Sequence, residues 1–187
     1  MISFDVRYQV TTWCTACEDP CSCPAAVSST LCTLYNFDKI KDEVLYVGRE
    51  KPSSCDILYV KQDSGNVAFL ELKNRPIGRA LDNFRNKING SIKIARDDLQ
   101  ILPADIRGVF LAVSPEKNDL SQLRGRLRNY LSIHFTVLGN TIQNCIDGTE
   151  FRLRYALDLC GQDLNQEIEQ VLSAPAEGKK LCQPVTN

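Results

Sequence analysis

The sequence has very little histidine and no excess of charge of either sign. Its single histidine, His134, has no partner at metal-ligand spacing, which favours a structural role. A cysteine protease needs a histidine base, and His134 is the only candidate, which argues against that class of enzyme. The 22 Lys and Arg residues nearly balance the 23 Asp and Glu residues, giving a net charge of -1, so a nucleic-acid surface can only be a local patch. Only ten glycines and eight prolines, beside 43% hydrophobic residues, exclude collagen-like and disordered chains.

The sequence also lacks a long apolar run and an amino-terminal secretion signal. No stretch approaches the roughly eighteen uncharged apolar residues that span a bilayer, which predicts no membrane partner. Residues 1–10 show no basic segment followed by an apolar core and a cleavage site, so we expect a cytoplasmic protein. With 187 residues and no dividing linker, the chain is expected to form one domain over residues 1–187, ending in a polar tail over residues 173–187.

Cysteine, in contrast, is abundant. There are nine cysteines, an odd number, so a fully paired disulfide framework is excluded. Four of them lie within one stretch of ten residues, inside a proline-containing loop over residues 13–24. They are Cys14, Cys17, Cys21 and Cys23. We interpret this loop as a metal-binding knuckle holding structural zinc, with Cys32 or Cys182 as an alternative fourth ligand. An iron-sulfur cluster is the competing interpretation, and disulfides or free thiols are the third.

Hydrophobic periodicity predicts an α/β domain with a mixed sheet flanked by helices. Alternating or continuous apolar patterns indicate strands over residues 2–10, 55–61, 67–73, 108–113, 133–138 and 141–146. Spacings of three and four indicate helices over residues 31–40, 84–102, 120–131 and 163–172, with Gly90 as a candidate kink in the second.

The predicted hairpin carries the charged residues of chemical interest. If its turn is centred between Ser64 and Gly65, Asp56 lies opposite Lys73 and Leu58 lies opposite Glu71. Side chains alternate along a strand, so Asp56, Glu71 and Lys73 would share one face, with the two carboxylates as diagonal neighbours about 7 to 8 Å apart. Charges at the end of apolar strands are costly when unpaired, and a bridging cation would explain them.

Asp56, the hairpin and the tripeptide Glu71-Leu72-Lys73 together resemble the PD-(D/E)xK nuclease superfamily, which has a restriction-endonuclease-like fold. The resemblance covers residues 31–113. It implies that Asp56 and Glu71 bind Mg²⁺ or Mn²⁺, that Leu72 offers its backbone carbonyl to the metal, and that Lys73 positions or activates the attacking water. The expected activity is metal-dependent hydrolysis of phosphodiester bonds in DNA or RNA, and a homodimer is a candidate assembly. The alternative is a nonenzymatic nucleic-acid or protein-binding module on the same fold.

Two features depart from the family pattern. Cys55 stands where the motif has proline. Many members also carry a glutamate on the preceding helix, for which Glu43 and Glu50 are both candidates. Cys55 itself is expected to be a buried apolar residue facing the opposite side of the strand from Asp56.

A basic segment follows the hairpin. Between Lys73 and Arg96 there are seven basic residues and one acid, a net charge of +6 that the near-neutral total conceals. Such a patch is typical of a phosphate-binding surface, and an ordinary solvated helix face is the alternative. The residues expected to contact nucleic acid are Arg75, Arg79, Arg85, Lys87 and Lys93.

Overall fold

A computed structural model describes about two thirds of the chain: residues 2–12, 29, 31–73, 83–113, 125, 129, 136–138, 141–146, 149–156 and 162–174. The predicted cysteine loop, most of the predicted helix over residues 120–131 and nearly all of the polar tail lie outside these residues. No helix in the described ranges is long and apolar enough to cross a bilayer.

The described residues form seven strands and three main helices, which confirms a mixed α/β architecture. The strands are β1 (Cys32–Asn36), β2 (Ile57–Lys61), β3 (Val67–Lys73), β4 (Ile106–Val113), β5 (Thr136–Leu138), β6 (Thr141–Ile146) and β7 (Thr149–Ala156). The helices are α1 (Phe37–Ile40), which continues as a π-helical turn over Lys41–Leu45, α2 (Phe84–Asp97) and α3 (Gln162–Ser173). Short 3-10 turns cover Val6–Tyr8 and Pro103–Asp105.

The strands join into one mixed sheet in the order β1-β2-β3-β4-β7-β6-β5. The three central strands, β3, β4 and β7, are parallel, and both flanking groups are antiparallel. Helix α2 forms the connection between the parallel neighbours β3 and β4, as a parallel pair requires a crossover.

Both faces of β2 and β3 are buried, one under α2 and the other under α3. On the α2 side, Leu58 and Phe69 pack in one cluster with Phe84 and Ile88. On the α3 side, the alternate strand residues form a second cluster, made by Ile57, Tyr59, Ala68, Leu70, Leu164 and Ile168. Burial on both faces explains why β2 and β3 are continuous apolar runs.

Two predictions for the amino-terminal part are wrong. Residues 2–10 do not form a strand: Asp5 accepts a hydrogen bond from the Arg7 amide and starts a 3-10 turn, leaving one β-bridge between Gln9 and Tyr35. Residues 31–40 are not one helix, because the first half pairs with β2 as strand β1. The helix begins only at Phe37, where the Asn36 side chain caps the Lys39 amide at 2.9 Å.

The other elements follow the sequence patterns closely. The predicted strands at residues 108–113 and 141–146 and the predicted carboxyl-terminal helix are confirmed. Helix α2 ends at Asp97, earlier than predicted, since Gln100 adopts a left-handed φ of 55° and the Ile101 amide turns back to the Ala95 carbonyl at 2.8 Å. Strand β7 was not predicted, although it lies in the parallel centre of the sheet.

Candidate functional site

The hairpin β2–β3 places Asp56 beside Glu71. The outermost pair of the two strands is Ile57 with Leu70, and continuing this register by one residue puts Asp56, which immediately precedes β2, opposite Glu71 of β3. The predicted register, with Asp56 opposite Lys73, is wrong by two residues. Because side chains alternate with a period of two, this shift preserves the predicted face, and it changes the carboxylates from diagonal to direct neighbours.

The register is determined by the hairpin loop. Gly65 has a positive φ of 73° and donates its amide to the Lys61 carbonyl at 2.9 Å, while the Lys61 amide donates to Asn66 at 2.9 Å. Gly65 is therefore the last residue of a four-residue loop and not part of its centre. Glycine is favoured at this position because a positive φ strains residues that carry a Cβ.

Asp56, Glu71 and two lysines form a largely buried charge cluster, which we call the carboxylate cluster. Only 6% of Asp56 and 0% of Glu71 is exposed. Lys87 of α2 reaches both carboxylates: its Nζ lies 3.2 Å from Asp56 Oδ1, 2.8 Å from Glu71 Oε1 and 3.0 Å from Glu71 Oε2. Lys73 forms a second ion pair with Glu71 Oε1. The structure thus brings the three predicted residues together and adds Lys87.

A backbone amide holds the second oxygen of Asp56. The Leu72 amide donates to Asp56 Oδ2 at 2.6 Å, while Asp56 Oδ1 faces Lys87. The carboxylate is therefore oriented by strand β3 on one side and by helix α2 on the other.

Helix α2 also fixes the segment that precedes Asp56. The Ser91 hydroxyl accepts a hydrogen bond from the Cys55 amide at 2.8 Å. One residue earlier, Gly90 lies so close to this segment that a Cβ there would be 1.8 Å from the Ser53 carbonyl oxygen. The predicted kink at Gly90 is not observed, since α2 runs unbroken through it; the glycine instead permits this close approach.

Cys55 is fully buried, as predicted, although not on the predicted side. It lies two residues before the start of β2 and packs in the cluster on the α2 face. Burial raises the pKa of its thiol well above the ordinary value, and the nearby Glu71 charge raises it further. A protonated, enclosed thiol has the character of a core residue.

A third acid, Asp38, acts on the cluster from the first turn of α1. Its Oδ1 accepts a hydrogen bond from Lys41 Nζ at 2.8 Å and another from the Ser54 hydroxyl. Its charge also contributes to raising the pKa of Lys87. Glu43 and Glu50, the candidates from sequence, are exposed side chains.

The surroundings change the acidity of the cluster. Burial raises the pKa of Asp56 to about 7, with a further increase from the Glu71 charge, while Lys87 and the Leu72 amide partly offset the rise. For Lys87, burial alone would lower the pKa, but the charges of Glu71 and Asp56 outweigh it and raise the pKa overall. Lys87 is consequently a permanent ammonium, and Asp56 is a carboxyl that titrates near neutrality.

This titration predicts a pH dependence of stability. The folded pKa of Asp56, about 7, lies above its unfolded value of about 3.9, so the folded state retains a proton that the unfolded state loses. The contribution is full below pH 4 and is lost as the pH rises through 7. Urea unfolding with a chelator present should show wild type losing about 2–3 kcal/mol between pH 5 and pH 8 relative to Asp56→Asn. Parallel pH profiles for the two proteins would contradict the raised pKa.

The predicted nucleic-acid contacts divide into three groups. Arg85 and Lys93 are exposed on α2, where a phosphate backbone could reach them. Lys87 lies on the same helix but points into the carboxylate cluster. Arg75 and Arg79 lie outside the described residues.

The predicted cysteine site lies outside the described ranges, which include none of Cys14, Cys17, Cys21, Cys23 and Cys182. Within the described ranges, Cys32 and Cys55 are buried free thiols. Within the described ranges no group of three or more His, Cys, Asp and Glu side chains is arranged to hold a metal ion.

The carboxylate cluster has the donor chemistry of a two-carboxylate cation site. Mg²⁺ and Mn²⁺ prefer oxygen ligands, and Mg²⁺ usually keeps several waters, so one or two carboxylates suffice on the protein side. The ammonium of Lys87 already touches Asp56 and Glu71 simultaneously, so a single cation can contact both side chains. A divalent ion therefore fits the pair, with Lys87 moved aside.

Comparisons of the chain with protein-family models, with curated proteins and with solved structures found no match.

Proposed function

We propose that this protein is a metal-dependent nuclease that hydrolyses phosphodiester bonds of DNA or RNA. The observation that carries the proposal is the meeting of two buried carboxylates, Asp56 just before β2 and Glu71 on β3, on one ammonium of α2, with Lys73 paired to Glu71. Asp56 and Glu71 would hold Mg²⁺ or Mn²⁺, and the Leu72 carbonyl would be an additional ligand.

The sheet topology supports a restriction-endonuclease-like fold as part of the proposal. An antiparallel hairpin carries the acids, and a helix then leads to a strand parallel to the second hairpin strand. This order corresponds to the part of the nuclease core that the sequence resembles. Strand β1, which precedes α1 here, differs from the helix expected at that point.

The chemistry requires stabilisation of negative charge on a phosphate. When bound, the metal would act as a Lewis acid and lower the pKa of water. Lys73 supplies a fixed positive charge beside Glu71 and is suited to orient a water molecule and to stabilise charge developing on the phosphate. Asp38 holds the segment before β2 through Ser54 and so helps to position Asp56. Arg85 and Lys93 would hold the flanking phosphates.

The direct test is a cleavage assay on single- and double-stranded DNA and RNA. We expect cleavage of at least one substrate with Mg²⁺ or Mn²⁺ and none with excess chelator. Glu71→Gln protein purified in parallel controls for contaminating nucleases. Equal cleavage by wild type and by this variant, or no cleavage of any substrate with either metal, would contradict the proposal.

A second candidate is a nonenzymatic nucleic-acid or protein-binding module. It is favoured by the charge balance of the cluster, in which the two ammoniums of Lys73 and Lys87 match the two carboxylates without a metal. Salt-sensitive binding of nucleic acid that proceeds without cleavage and is unaffected by Glu71→Gln would support this candidate over the nuclease.

Zinc or an iron-sulfur cluster at the amino-terminal cysteines, a homodimer and a cytoplasmic location remain predictions of the sequence.

A further inference from the structure

Lys87 occupies the position that a metal would need. Its Nζ lies within 3.2 Å of Asp56 Oδ1 and within 3.0 Å of both Glu71 oxygens. These are direct contacts, so a cation held by the same oxygens would have to compete with the ammonium for them. The inference that follows rests on the proposed function, since it concerns how the same two carboxylates bind metal.

The position of Lys87 is built into α2. Its neighbours on the buried side of the helix, Phe84, Ile88 and Ser91, are fully enclosed, and Ser91 is hydrogen-bonded to Cys55. The Lys87 side chain is only 19% exposed. The packing of α2 therefore directs the Lys87 side chain into the cluster, whereas an ordinary surface lysine would extend into solvent.

Lys73 differs from Lys87 in what it contacts. It pairs with Glu71, from which it is two residues away on the same strand. Lys87 reaches Asp56 and Glu71 together from another element. It is therefore the group that takes the bridging position, and Lys73 is compatible with a metal beside it.

We propose that Lys87 is the resident counter-cation of this site, which a divalent metal must displace, and that it keeps the metal affinity of the free protein low. Metal binding then requires that the ammonium leave both carboxylates. Removing the ammonium leaves two buried carboxylates without this competitor, so a divalent cation binds them more tightly.

The experiment is calorimetric titration with Mn²⁺ at pH 8.5, where Asp56 is ionised, without nucleic acid. Lys87→Met should bind Mn²⁺ at least about tenfold more tightly than wild type, since a like charge is removed from the site. Lys87→Arg, which retains the charge, should stay within about threefold of wild type. Lys61→Met is the matched control, because Lys61 pairs with Asp63 at 2.9 Å at the opposite end of the hairpin.

The possible results separate the two proposals. Equal affinities of wild type and Lys87→Met, with binding lost in Glu71→Gln, would overturn the role of Lys87 and leave the metal site intact. Absence of binding to both proteins would overturn the metal site and this inference together. If Lys61→Met tightened Mn²⁺ binding as much as Lys87→Met, the effect would be due to net charge alone, and the inference would also be overturned.

Lys87→Met leaves two buried carboxylates without this partner, which can impair folding of the variant. A second measurement therefore uses the wild-type protein. The ammonium signal of Lys87 in wild-type protein can be followed by lysine side-chain NMR and assigned by its absence in Lys87→Arg. Saturating Mg²⁺ should move this signal toward that of a solvated lysine. An unchanged signal at full Mg²⁺ occupancy would show that no displacement occurs.

Discussion

Replacing Glu71 with Gln should reduce Mg²⁺-dependent cleavage by about 100- to 1,000-fold, the range seen when one preorganised charge contact is lost. Glu71 is fully buried and contacts both lysines, and in the proposed site it is a metal ligand. The amide keeps the volume of the carboxylate but removes its charge, so it weakens metal binding and frees the ammoniums. Single-turnover cleavage rates at saturating Mg²⁺ measure the loss.

Lys73→Met should lower the same rate to a comparable extent, because the proposed role of Lys73 is to orient water and stabilise the phosphate. Mn²⁺ should still bind Lys73→Met, because both carboxylates remain, whereas binding is lost in Glu71→Gln, and this difference distinguishes Lys73 from Glu71. Asp63→Asn is the matched control, since this exposed carboxylate sits in the loop of the same hairpin. Wild-type rates in both site variants, with folding verified by thermal unfolding, would remove Glu71 and Lys73 from the catalytic mechanism.

The shared face of the three site residues was predictable because alternation along a strand is a local property. The exact pairing was not, since it depends on which loop residue adopts a positive φ. Gly65 could have occupied the middle or the end of the turn, and both choices keep Asp56 on the same face as Glu71. An error of two residues in register therefore left the proposed site intact.

Other parts of the fold depend on contacts between distant segments. The spacing of Leu34, Tyr35 and Ile40 suits a helix, yet residues 32–36 pair with β2, and this tertiary pairing outweighs local preference. A sequence signal did exist for Lys87: it lies three residues after Phe84 and directly before Ile88, both on the apolar face of the predicted helix. A lysine on the buried stripe of a helix needs an anionic partner, and the hairpin acids are the nearest candidates.

Gly90→Ala should destabilise the protein by about 3 kcal/mol, lowering the midpoint of thermal unfolding by roughly 6–12 °C. The added Cβ would lie 1.8 Å from the Ser53 carbonyl oxygen, far inside van der Waals contact. The obstructing atom belongs to the backbone, so relief requires movement of α2 or of the segment leading to Asp56. Helix propensity acts in the opposite direction, because alanine in a helix is favoured over glycine by about 0.5–1 kcal/mol. Thermal and urea unfolding measure the net effect.

Gly125→Ala provides the matched control. Gly125 is also helical and is exposed, and a Cβ there would meet no atom within 4 Å. The same chemical change should therefore leave stability unchanged or raise it by up to about 1 kcal/mol. A Gly90→Ala variant as stable as Gly125→Ala would show that α2 does not pack against Ser53 at this distance. The same packing brings the Ser91 hydroxyl to the Cys55 amide. That result would therefore also contradict the role of α2 in fixing the segment that precedes Asp56.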